Sequence, residues 1–352
     1  MDMQNLAWII QKPSVGRYRP DVLALKKCAL MFPKEGELLV RPLLLSLDPS
    51  NLMWLKLLPG WMQDVRIGDV MMGPALAEVE QSQHSGFRAG DLVMAPVQWR
   101  SRAVVSAELA SRVTPVPGLP LEDYLTIFSH VGRAAYIGTR LVGRVRSGDT
   151  VLVSAAAGAT GSLACQIARE SGGTVIGIAG GPDKCRYLKK DLGIEAAIDY
   201  RAEDLSSALA RYCPRGVDVF FDNVGGEMLD TALLHLRVGA RVVICGAISE
   251  YSNASPVEGY RHSHLFQLLM KRARIEGFVV PDFAERYAEI DASLAALVAR
   301  GALRARTHVL EGLAEAAEGL QLLLTGGNRG KLMVRVQEPL YVGSPSTEEQ
   351  SA

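Results

Sequence analysis

The segment AAAGATG, Ala155 to Gly161, constrains the fold of this chain more than any other part of the sequence. It stands between the apolar run Val151 to Val153 and a stretch with apolar residues at helical spacing that begins at Ser162, which predicts a turn from a buried strand into a helix. Small residues let backbone amides approach a pyrophosphate, and the start of a helix favours negative charge. The turn therefore predicts a dinucleotide site. Alanine stands at the first glycine position, and a tight turn that binds nothing is the alternative.

The residues that follow complete a strand–helix–strand unit. Two glycines end the helical pattern, and Thr174 to Ala179 predicts a second buried strand. An Asp or Glu at the end of that strand normally binds the ribose hydroxyls of a cofactor without a 2′-phosphate. Here Gly180 stands at that place and the cation Lys184 follows, so the sequence favours NADPH over NADH. The alternative for Lys184 is a solvated lysine in a first helical turn that Asp183 caps.

Short apolar strands alternate with helical patterns through the middle of the chain. The predicted strands are Thr150–Ala155, Thr174–Ala179, Ala196–Asp199, Val217–Asp222, Arg241–Cys245 and Arg274–Val280. Six strands with intervening helices predict an α/β fold with a Rossmann-type, doubly wound parallel sheet.

The two ends of the chain have a different pattern. The first third predicts short strands at Glu37–Leu47, Ala75–Val79 and Asp91–Pro96, and two helices around Gly132 within Leu121–Leu141. A late strand, Lys331–Val336, is expected to return to this β-rich part. We therefore expect one domain from residues 1–126 plus 303–340, a cofactor domain over 127–302 and a disordered polar tail over 341–352.

Bulk composition limits the possible partners. Lys and Arg number 38, and Asp and Glu number 38, so no basic excess indicates nucleic acid or an anionic membrane. The N-terminal residues resemble neither a signal peptide nor a membrane anchor, so the cytoplasm is expected. Five cysteines without CxxC pairing indicate reduced thiols, and six dispersed histidines predict no metal site. A small molecule is the expected partner.

Polar or small loops follow the later strands. In a doubly wound sheet ligands bind beyond the carboxyl ends of the strands, so these loops predict a cofactor groove, although each alone reads as a simple turn. They contain Tyr200, Asn223 within FDNVGG, the run Cys245 to Asn253, and Phe278 to Asp282. Within the third loop, Tyr251 is the candidate catalytic residue, because a phenol there can donate to a substrate carbonyl. Its alternative role is packing over the cofactor.

The chain resembles the zinc-free medium-chain dehydrogenase/reductase family, in the branch of prostaglandin reductases, plant alkenal double-bond reductases and bacterial curcumin reductase. The matching motifs are AAAGATGSLACQIA, GIAGGPDKCRYL, AIDYRAEDL, GVDVFFDNVGGEMLDT, VVICGAISEYSN, RIEGFVV and NRGKLMVRV. The resemblance implies a GroES-like catalytic domain beside the Rossmann domain, a homodimer, and hydride transfer from NADPH to the β-carbon of an α,β-unsaturated ketone or aldehyde. Tyr251 matches a tyrosine that steadies or protonates the enolate.

The resemblance also implies a set of residues that hold NADPH between the two domains. These are Gly158, Ala159, Thr160, Gly161, Lys184, Tyr200, Asn223, Cys245, Gly246, Ala247, Ile248, Ser249, Tyr251, Phe278, Val279, Val280 and Asn328.

The substrate half departs from the branch. DPSNLMW, Asp48 to Trp54, stands where the branch has DPYMR, and GRAAY, Gly132 to Tyr136, stands where it has GLTAY. MMGPALAEV, Met71 to Val79, has no zinc ligand where zinc-dependent relatives have one, so we expect positioning and electrostatics to carry the rate. Two alternatives stay open: quinone reduction on the same fold, and a protein that binds NADPH without hydride transfer.

Overall fold

The described residues form two large β-sheets, of six and seven strands, and a separate two-stranded antiparallel sheet made by the first two strands. The computed structural model describes residues 5–56, 65–251 and 259–340. The strands are β1 Asn5–Ile10, β2 Leu23–Cys28, β3 Glu37–Ser46, β4 Met72–Ser82, β5 Leu92–Gln98, β6 Ala103–Ser106, β7 Ser111–Val113, β8 Thr150–Val153, β9 Thr174–Ala179, β10 Ala196–Asp199, β11 Val217–Asp222, β12 Leu236–Ile244, β13 Arg274–Gly277, β14 Thr307–Glu311 and β15 Lys331–Arg335.

Helices cover both faces of the parallel sheet formed by β8 to β13 and flank the sheet that contains β3. They are α1 Pro49–Trp54, α2 Leu121–Thr126, α3 His130–Tyr136, α4 Ala159–Glu170, α5 Pro182–Lys190, α6 Leu205–Tyr212, α7 Gly226–Leu234, α8 Phe266–Lys271, α9 Tyr287–Ala299 and α10 Ala316–Thr325. A π-helical turn, Ile137–Val142, extends α3.

The middle of the chain forms the predicted parallel sheet. Its strand order is β10-β9-β8-β11-β12-β13, the Rossmann order in which the first strand of the unit lies at the centre. The central strand β8 is apolar throughout Val151–Val153 and is fully buried, because helices cover both of its faces. The predicted doubly wound sheet is therefore confirmed.

The second sheet combines strands from both ends of the chain. Its order is β14-β15-β3-β4-β5-β7, with β6 paired to β3. β15 pairs antiparallel with β3, so that Met333 lies opposite Ser46. The predicted return of the C-terminal strand to the β-rich part is confirmed, whereas the domain boundaries at 126/127 and 302/303 stay a prediction. The predicted tail, 341–352, lies outside the described residues.

Several element ends differ from the prediction. The strand predicted over Thr150–Ala155 ends at Val153, because Ala155 adopts a left-handed φ of +46° and turns the chain. The helix after it begins at Ala159 rather than Ser162. The strand predicted over Arg241–Cys245 is Leu236–Ile244. Three of its first residues, Arg237, Val238 and Gly239, are exposed, and Arg237 and Gly239 interrupt any apolar run.

The remaining strands differ at their ends as well. The strand predicted over Arg274–Val280 stops at Gly277, and a 3₁₀ turn, Val280–Arg286, follows. In the first sheet β4 and β5 extend beyond their predicted cores, Ala75–Val79 and Asp91–Pro96, because backbone pairing continues past the apolar residues.

Gly132 does not separate two helices, and that prediction is wrong. The break lies at 127–129, where the hydroxyl of Ser129 accepts from the amide of Val131 and begins α3. Gly132 is inside α3 because of a close approach: a Cβ atom there would lie 1.9 Å from the carbonyl oxygen of Ile127. The glycine therefore lets α2 and α3 meet.

Candidate active site

The predicted dinucleotide turn has the shape that a pyrophosphate requires. Gly158 precedes α4, and no side chain caps the start of that helix. The first backbone bond of the helix runs from the amide of Ser162 to the carbonyl of Gly158, at 3.0 Å. The amides of residues 159–161 come before that bond, so they are the groups that a helix start presents to an anion.

Gly161 is required by packing as well as by ligand access. A Cβ atom at Gly161 would lie 2.4 Å from the carbonyl oxygen of Ala155, whereas one at Gly158 would lie 3.1 Å from the same atom. The left-handed Ala155 directs its carbonyl into the turn. The last glycine of the motif thus fixes the helix close to the strand, and the first is the more tolerant of the two.

Positive charge is concentrated beside the end of β9. The Nζ atom of Lys184 donates to the carbonyl of Gly326 at 2.9 Å, and Arg201 donates to the carbonyl of Thr325 at 3.1 Å. Burial, followed by the charges of Arg201, Arg306 and Arg329, lowers the pKa of Lys184. Three arginines from separate parts of the chain therefore lie within electrostatic range of Lys184. Sequence reasoning identified Lys184 and missed Arg306 and Arg329, which lie just before β14 and β15.

The two acids nearest this cluster are engaged elsewhere. One carboxylate oxygen of Asp199 accepts from the amides of Gly181 at 2.8 Å and Arg201 at 3.1 Å. Asp183 pairs with Arg186 at 2.8 Å on the exposed face of α5, and α5 is capped by Gly181 rather than by Asp183. The expected capping by Asp183 is therefore wrong, and the cluster keeps its positive potential.

A side chain at position 180 would clash with two neighbouring side chains, so Gly180 is also required by packing. A Cβ atom there would lie 2.9 Å from the ring of Tyr200 and 2.8 Å from Nε of Arg201. Tyr200 itself is exposed, with the guanidinium of Arg201 lying 5.8 Å from its ring centroid. An acid at the end of β9 would displace both side chains, so the missing carboxylate and the cation cluster belong to one arrangement.

A buried hydrogen-bond network fixes Asn223. Its amide nitrogen Nδ2 donates to the carbonyl of Ser154 at 2.8 Å, and its backbone amide donates to the Ser154 hydroxyl at 2.7 Å. That hydroxyl donates in turn to Asp222 at 2.7 Å. Burial raises the pKa of Asp222. Ser154 and Asp222 were not assigned from sequence, although both lie at strand ends where an apolar run stops.

The loop after β12 is tied to the same network. The backbone amides of Cys245 and Gly246 donate to the carbonyl of Asp222 at 2.8 and 3.2 Å. The Ser249 hydroxyl donates to the carbonyl of Val224 at 2.6 Å. Burial raises the pKa of the Cys245 thiol to about 12, so this sulfur stays protonated near neutral pH.

Tyr251 lies at the end of the described part of this loop. Its hydroxyl accepts from the amide of Ala247 at 3.3 Å and is turned toward Gly246. Burial raises the pKa of the phenol. The bond to Ala247 uses an oxygen lone pair, which leaves the phenolic proton for donation to another group.

The remaining candidates lie on the two flanks of the groove. Phe278 packs edge-on against Phe283, with 6.4 Å between ring centroids, and Val279 is exposed. Asn328 donates through Nδ2 to the carbonyl of Gly330 at 2.8 Å. Gly330 pairs with Gly158 in an isolated parallel bridge, so the segment before β15 lies directly against the dinucleotide turn.

A buried charged group at the junction of the two sheets was missed by sequence reasoning. Asp48, at the end of β3, accepts from Nζ of Lys331 at 2.7 Å and lies 3.2 Å from Nε2 of His130. Lys331 is 1% exposed. The signal was a lysine at the first position of the strand KLMVR, but spacing alone does not pair residues 283 positions apart.

The altered GRAAY segment does not bring an arginine into the groove. Arg133 makes two contacts with the carboxylate of Asp291 on α9, at 2.9 and 2.7 Å. Its guanidinium also lies 4.1 Å from the ring centroid of Tyr287. Arg133 therefore binds α3 to α9.

No cluster of three or more His, Cys, Asp or Glu residues arranged to hold a metal ion occurs within 5–56, 65–251 and 259–340. Among the helices of those same ranges, none has both the length and the apolar character that a membrane span requires.

Comparisons with known proteins agree with this geometry. The family described as "Zinc-binding dehydrogenase" matches residues 159–297, and "N-terminal domain of oxidoreductase" matches residues 7–113. The chain is 31% identical to the NADPH-dependent curcumin reductase of Escherichia coli, over 95% of this chain and 97% of that protein. It is 34% identical to bovine prostaglandin reductase 1, over 94% and 98% of the two chains.

A solved structure extends the likeness to three dimensions. The structure of CurA from Vibrio vulnificus in complex with NADPH is 35% identical and superposes with a TM-score of 0.89, covering 95% of this chain and all of that one. Identity above 30% over nearly the full length, in both sheets, places the two parts of this chain in one family. The chain belongs to the medium-chain dehydrogenase/reductase family, in the branch of the prostaglandin, alkenal and curcumin reductases.

Proposed function

We propose that this protein is an NADPH-dependent ene-reductase that saturates the conjugated C=C bond of α,β-unsaturated ketones and aldehydes. The observation that carries the proposal is the pairing of an uncapped helix start at Gly158 with a cation cluster around Lys184. A pyrophosphate suits the first and a 2′-phosphate suits the second. The curcumin and prostaglandin reductases named above support the reaction class.

The residues present fit NADPH better than NADH. The charged groups of Lys184 and Arg201 donate to backbone carbonyls at 2.9 and 3.1 Å. A phosphate can replace these carbonyls as acceptor or share the donors with them. Arg306 and Arg329 add charge to the same place. A cofactor without the 2′-phosphate would leave this charge unbalanced, which favours the phosphorylated form by electrostatics alone.

The proposed mechanism assigns separate tasks to the chain. Bound NADPH supplies a hydride to the β-carbon. Asn223 and the loop 245–249 form the floor against which the nicotinamide would lie, because the Ser154–Asp222 network holds them fixed. Tyr251 donates a hydrogen bond to the substrate oxygen as negative charge develops there. Its raised pKa keeps the proton on the phenol, so Tyr251 stabilises the oxygen without giving up its proton.

The test is a panel of enones, enals and quinones, assayed side by side with NADPH. We expect oxidation of NADPH with enones and enals and formation of the saturated carbonyl. Turnover of quinones alone would assign a quinone reductase instead. Tight NADPH binding with no oxidation across the panel would support a protein that binds the cofactor without hydride transfer.

We also propose a cytoplasmic homodimer formed through β13. All four residues of this edge strand are exposed, and α8 beside it exposes Phe266, Leu269 and Met270. An exposed edge with an apolar flank favours pairing with a second copy. Five free cysteines support a reducing compartment. Light scattering should give twice the mass of one chain, and the double variant L269E/M270E should give one; equal masses would contradict this interface.

A further inference from the structure

His130 is half-exposed and is held by a buried acid. It begins α3, and its Nε2 lies 3.2 Å from Oδ1 of Asp48. The imidazole side chain is 38% exposed, whereas that of Asp48 is 8% exposed. One ring nitrogen is therefore fixed by the interior, and Nδ1 is the nitrogen that Asp48 does not engage.

Asp48 is fixed and ionised. Lys331 donates to it at 2.7 Å, the hydroxyl of Ser46 donates to its other oxygen, and its backbone amide donates to Asn51 at 2.8 Å. The contacts with Lys331 and His130 outweigh burial and hold the pKa of Asp48 well below its usual range. A fixed carboxylate that accepts from Nε2–H sets both the orientation and the tautomer of an imidazole.

The position of His130 relative to the groove follows from two connections. Lys331 is next to Gly330, which pairs with Gly158 of the dinucleotide turn. α1 begins directly after Asp48, and Lys56 follows its C-cap; burial lowers the pKa of Lys56, and the nearby charge of Glu250 opposes this effect. α1 and the two residues after it therefore connect the His130 contact with the electrostatic range of Glu250, which is next to Tyr251 in the chain.

We propose that His130 is a catalytic residue that passes the Nδ1 proton of its imidazolium form to the carbonyl oxygen of the conjugated substrate. This rests on the proposed function. The hydride from NADPH forms the new C–H bond at the β-carbon, and the C=C electron pair moves to form the enolate. The enolate oxygen takes the Nδ1 proton and becomes an enol, the enol tautomerises to the saturated carbonyl, and His130 regains a proton from water.

The two candidate donors, His130 and Tyr251, have separate tasks because their acidities differ. An imidazolium is a far stronger acid than a phenol, so it can transfer its proton to an enolate oxygen near neutral pH. Tyr251, whose pKa burial raises, is the weaker acid and keeps its proton. Asp48 stays ionised beside the imidazole, because Lys331 and His130 together outweigh the effect of burial on its pKa.

Other charges near the start of α3 are largely paired. Asp291 on α9 is bound by Arg133 at 2.7 Å, and Glu122 on α2 is bound by Arg335 at 2.7 Å. Asp123 on α2 differs from these acids, because burial raises its pKa to about 6. The segment before α9 adds the exposed Asp282, Glu285 and Arg286, the last of which pairs with Glu289.

The test compares His130→Gln with two controls in full-length protein. His235→Gln removes a half-buried histidine that bonds Ser206 at 2.8 Å, at the start of β12 and away from the groove. Asp123→Asn removes the acid on α2 whose pKa burial raises to about 6. For each variant we measure kcat and KM for an enone, the dissociation constant of NADPH, the melting temperature, and kcat against pH.

For His130→Gln we expect kcat to fall by about 10²-fold with NADPH affinity unchanged. In the wild type and in both controls kcat should fall toward alkaline pH, and in His130→Gln this fall should disappear. Added imidazole should partly restore kcat in His130→Gly.

Three results would overturn the proposal: an unchanged kcat in His130→Gln, a pH profile that survives the substitution, or a loss of kcat that follows NADPH affinity. A pH dependence that disappears in Asp123→Asn instead would assign the titration to that acid. A wild-type protein that reduces quinones but no enone would overturn the proposed function itself, and this role with it.

Discussion

The Nζ atom of Lys331 lies 2.7 Å from Oδ1 of Asp48 at the junction of the two sheets, and both side chains are buried. The lysine also donates to the carbonyl of Leu47 at 2.9 Å. β3 and the C-terminal strand β15 are thus joined by a charge pair as well as by their backbone ladder. Because neither charge is solvated, each depends on the other.

Asp48→Asn should destabilise the protein by about 3 to 5 kcal/mol, because it leaves the Lys331 charge buried without its counterion. Urea unfolding measures this loss. The double variant D48N/K331M should recover part of it, since the orphaned charge is removed as well. A loss below about 1 kcal/mol would contradict a functional ion pair in the interior.

The pair Asp48–Lys331 predicts part of the loss of stability at low pH. The folded-state pKa of Asp48 is depressed, so its contribution to the free energy of unfolding is fully present above the unfolded pKa of about 4 and is lost as the pH falls below it. Unfolding curves between about pH 6 and 3 should therefore be less steep in pH for Asp48→Asn than for the wild type.

Gly161→Ala should be more harmful than Gly158→Ala. A Cβ atom at Gly161 meets a backbone oxygen at 2.4 Å, whereas one at Gly158 meets it at 3.1 Å. We expect Gly161→Ala to lower stability by about 1 to 3 kcal/mol and to weaken NADPH by at least about tenfold. Thermal unfolding and a fluorescence titration measure the two effects, and equal effects of the two substitutions would contradict the geometry.

Lys184→Ala should weaken NADPH by about 10- to 100-fold, because a charge-assisted hydrogen bond to a phosphate is lost, and should leave NADH affinity nearly unchanged. Lys190→Ala, an exposed lysine on the same helix, is the matched control and should affect neither. Titration with NADPH and with NADH measures the two affinities. Equal losses for NADPH and NADH would remove Lys184 from the phosphate site.

Tyr251→Phe should lower kcat by about 10- to 100-fold, because one hydrogen bond to the developing oxygen charge is lost. NADPH affinity should stay near the wild-type value, since the ring remains in position. Steady-state kinetics with one enone measures kcat, and an NADPH titration measures the cofactor affinity separately. An unchanged kcat would assign Tyr251 a packing role.

The sequence predicted the parallel sheet well because its signals are local. Apolar runs such as Val151–Val153 and the glycine-rich turn between strand and helix depend on neighbouring residues. The ends of elements were less predictable. Ala155 closes its strand early by a left-handed φ, and Gly132 serves a contact with Ile127 that no helical pattern reveals.

The residues of the candidate site were also predictable only where the sequence signal is local. Lys184 and Asn223 could be chosen because they follow strands, where ligands of doubly wound sheets bind. Arg306, Arg329 and the Asp48–His130 contact could not, because each depends on how the C-terminal segment and β3 meet the cofactor sheet. Such long-range pairings are set by tertiary packing, and one sequence holds no record of them.

The most direct test of the central claim follows the transferred hydrogen. NADPH that carries deuterium at the reactive C4 position is incubated with the protein and a simple enone, and the product is analysed by NMR. The account predicts a saturated ketone with deuterium on the β-carbon. Deuterium on the carbonyl carbon of an allylic alcohol, or no oxidation of NADPH, would contradict it.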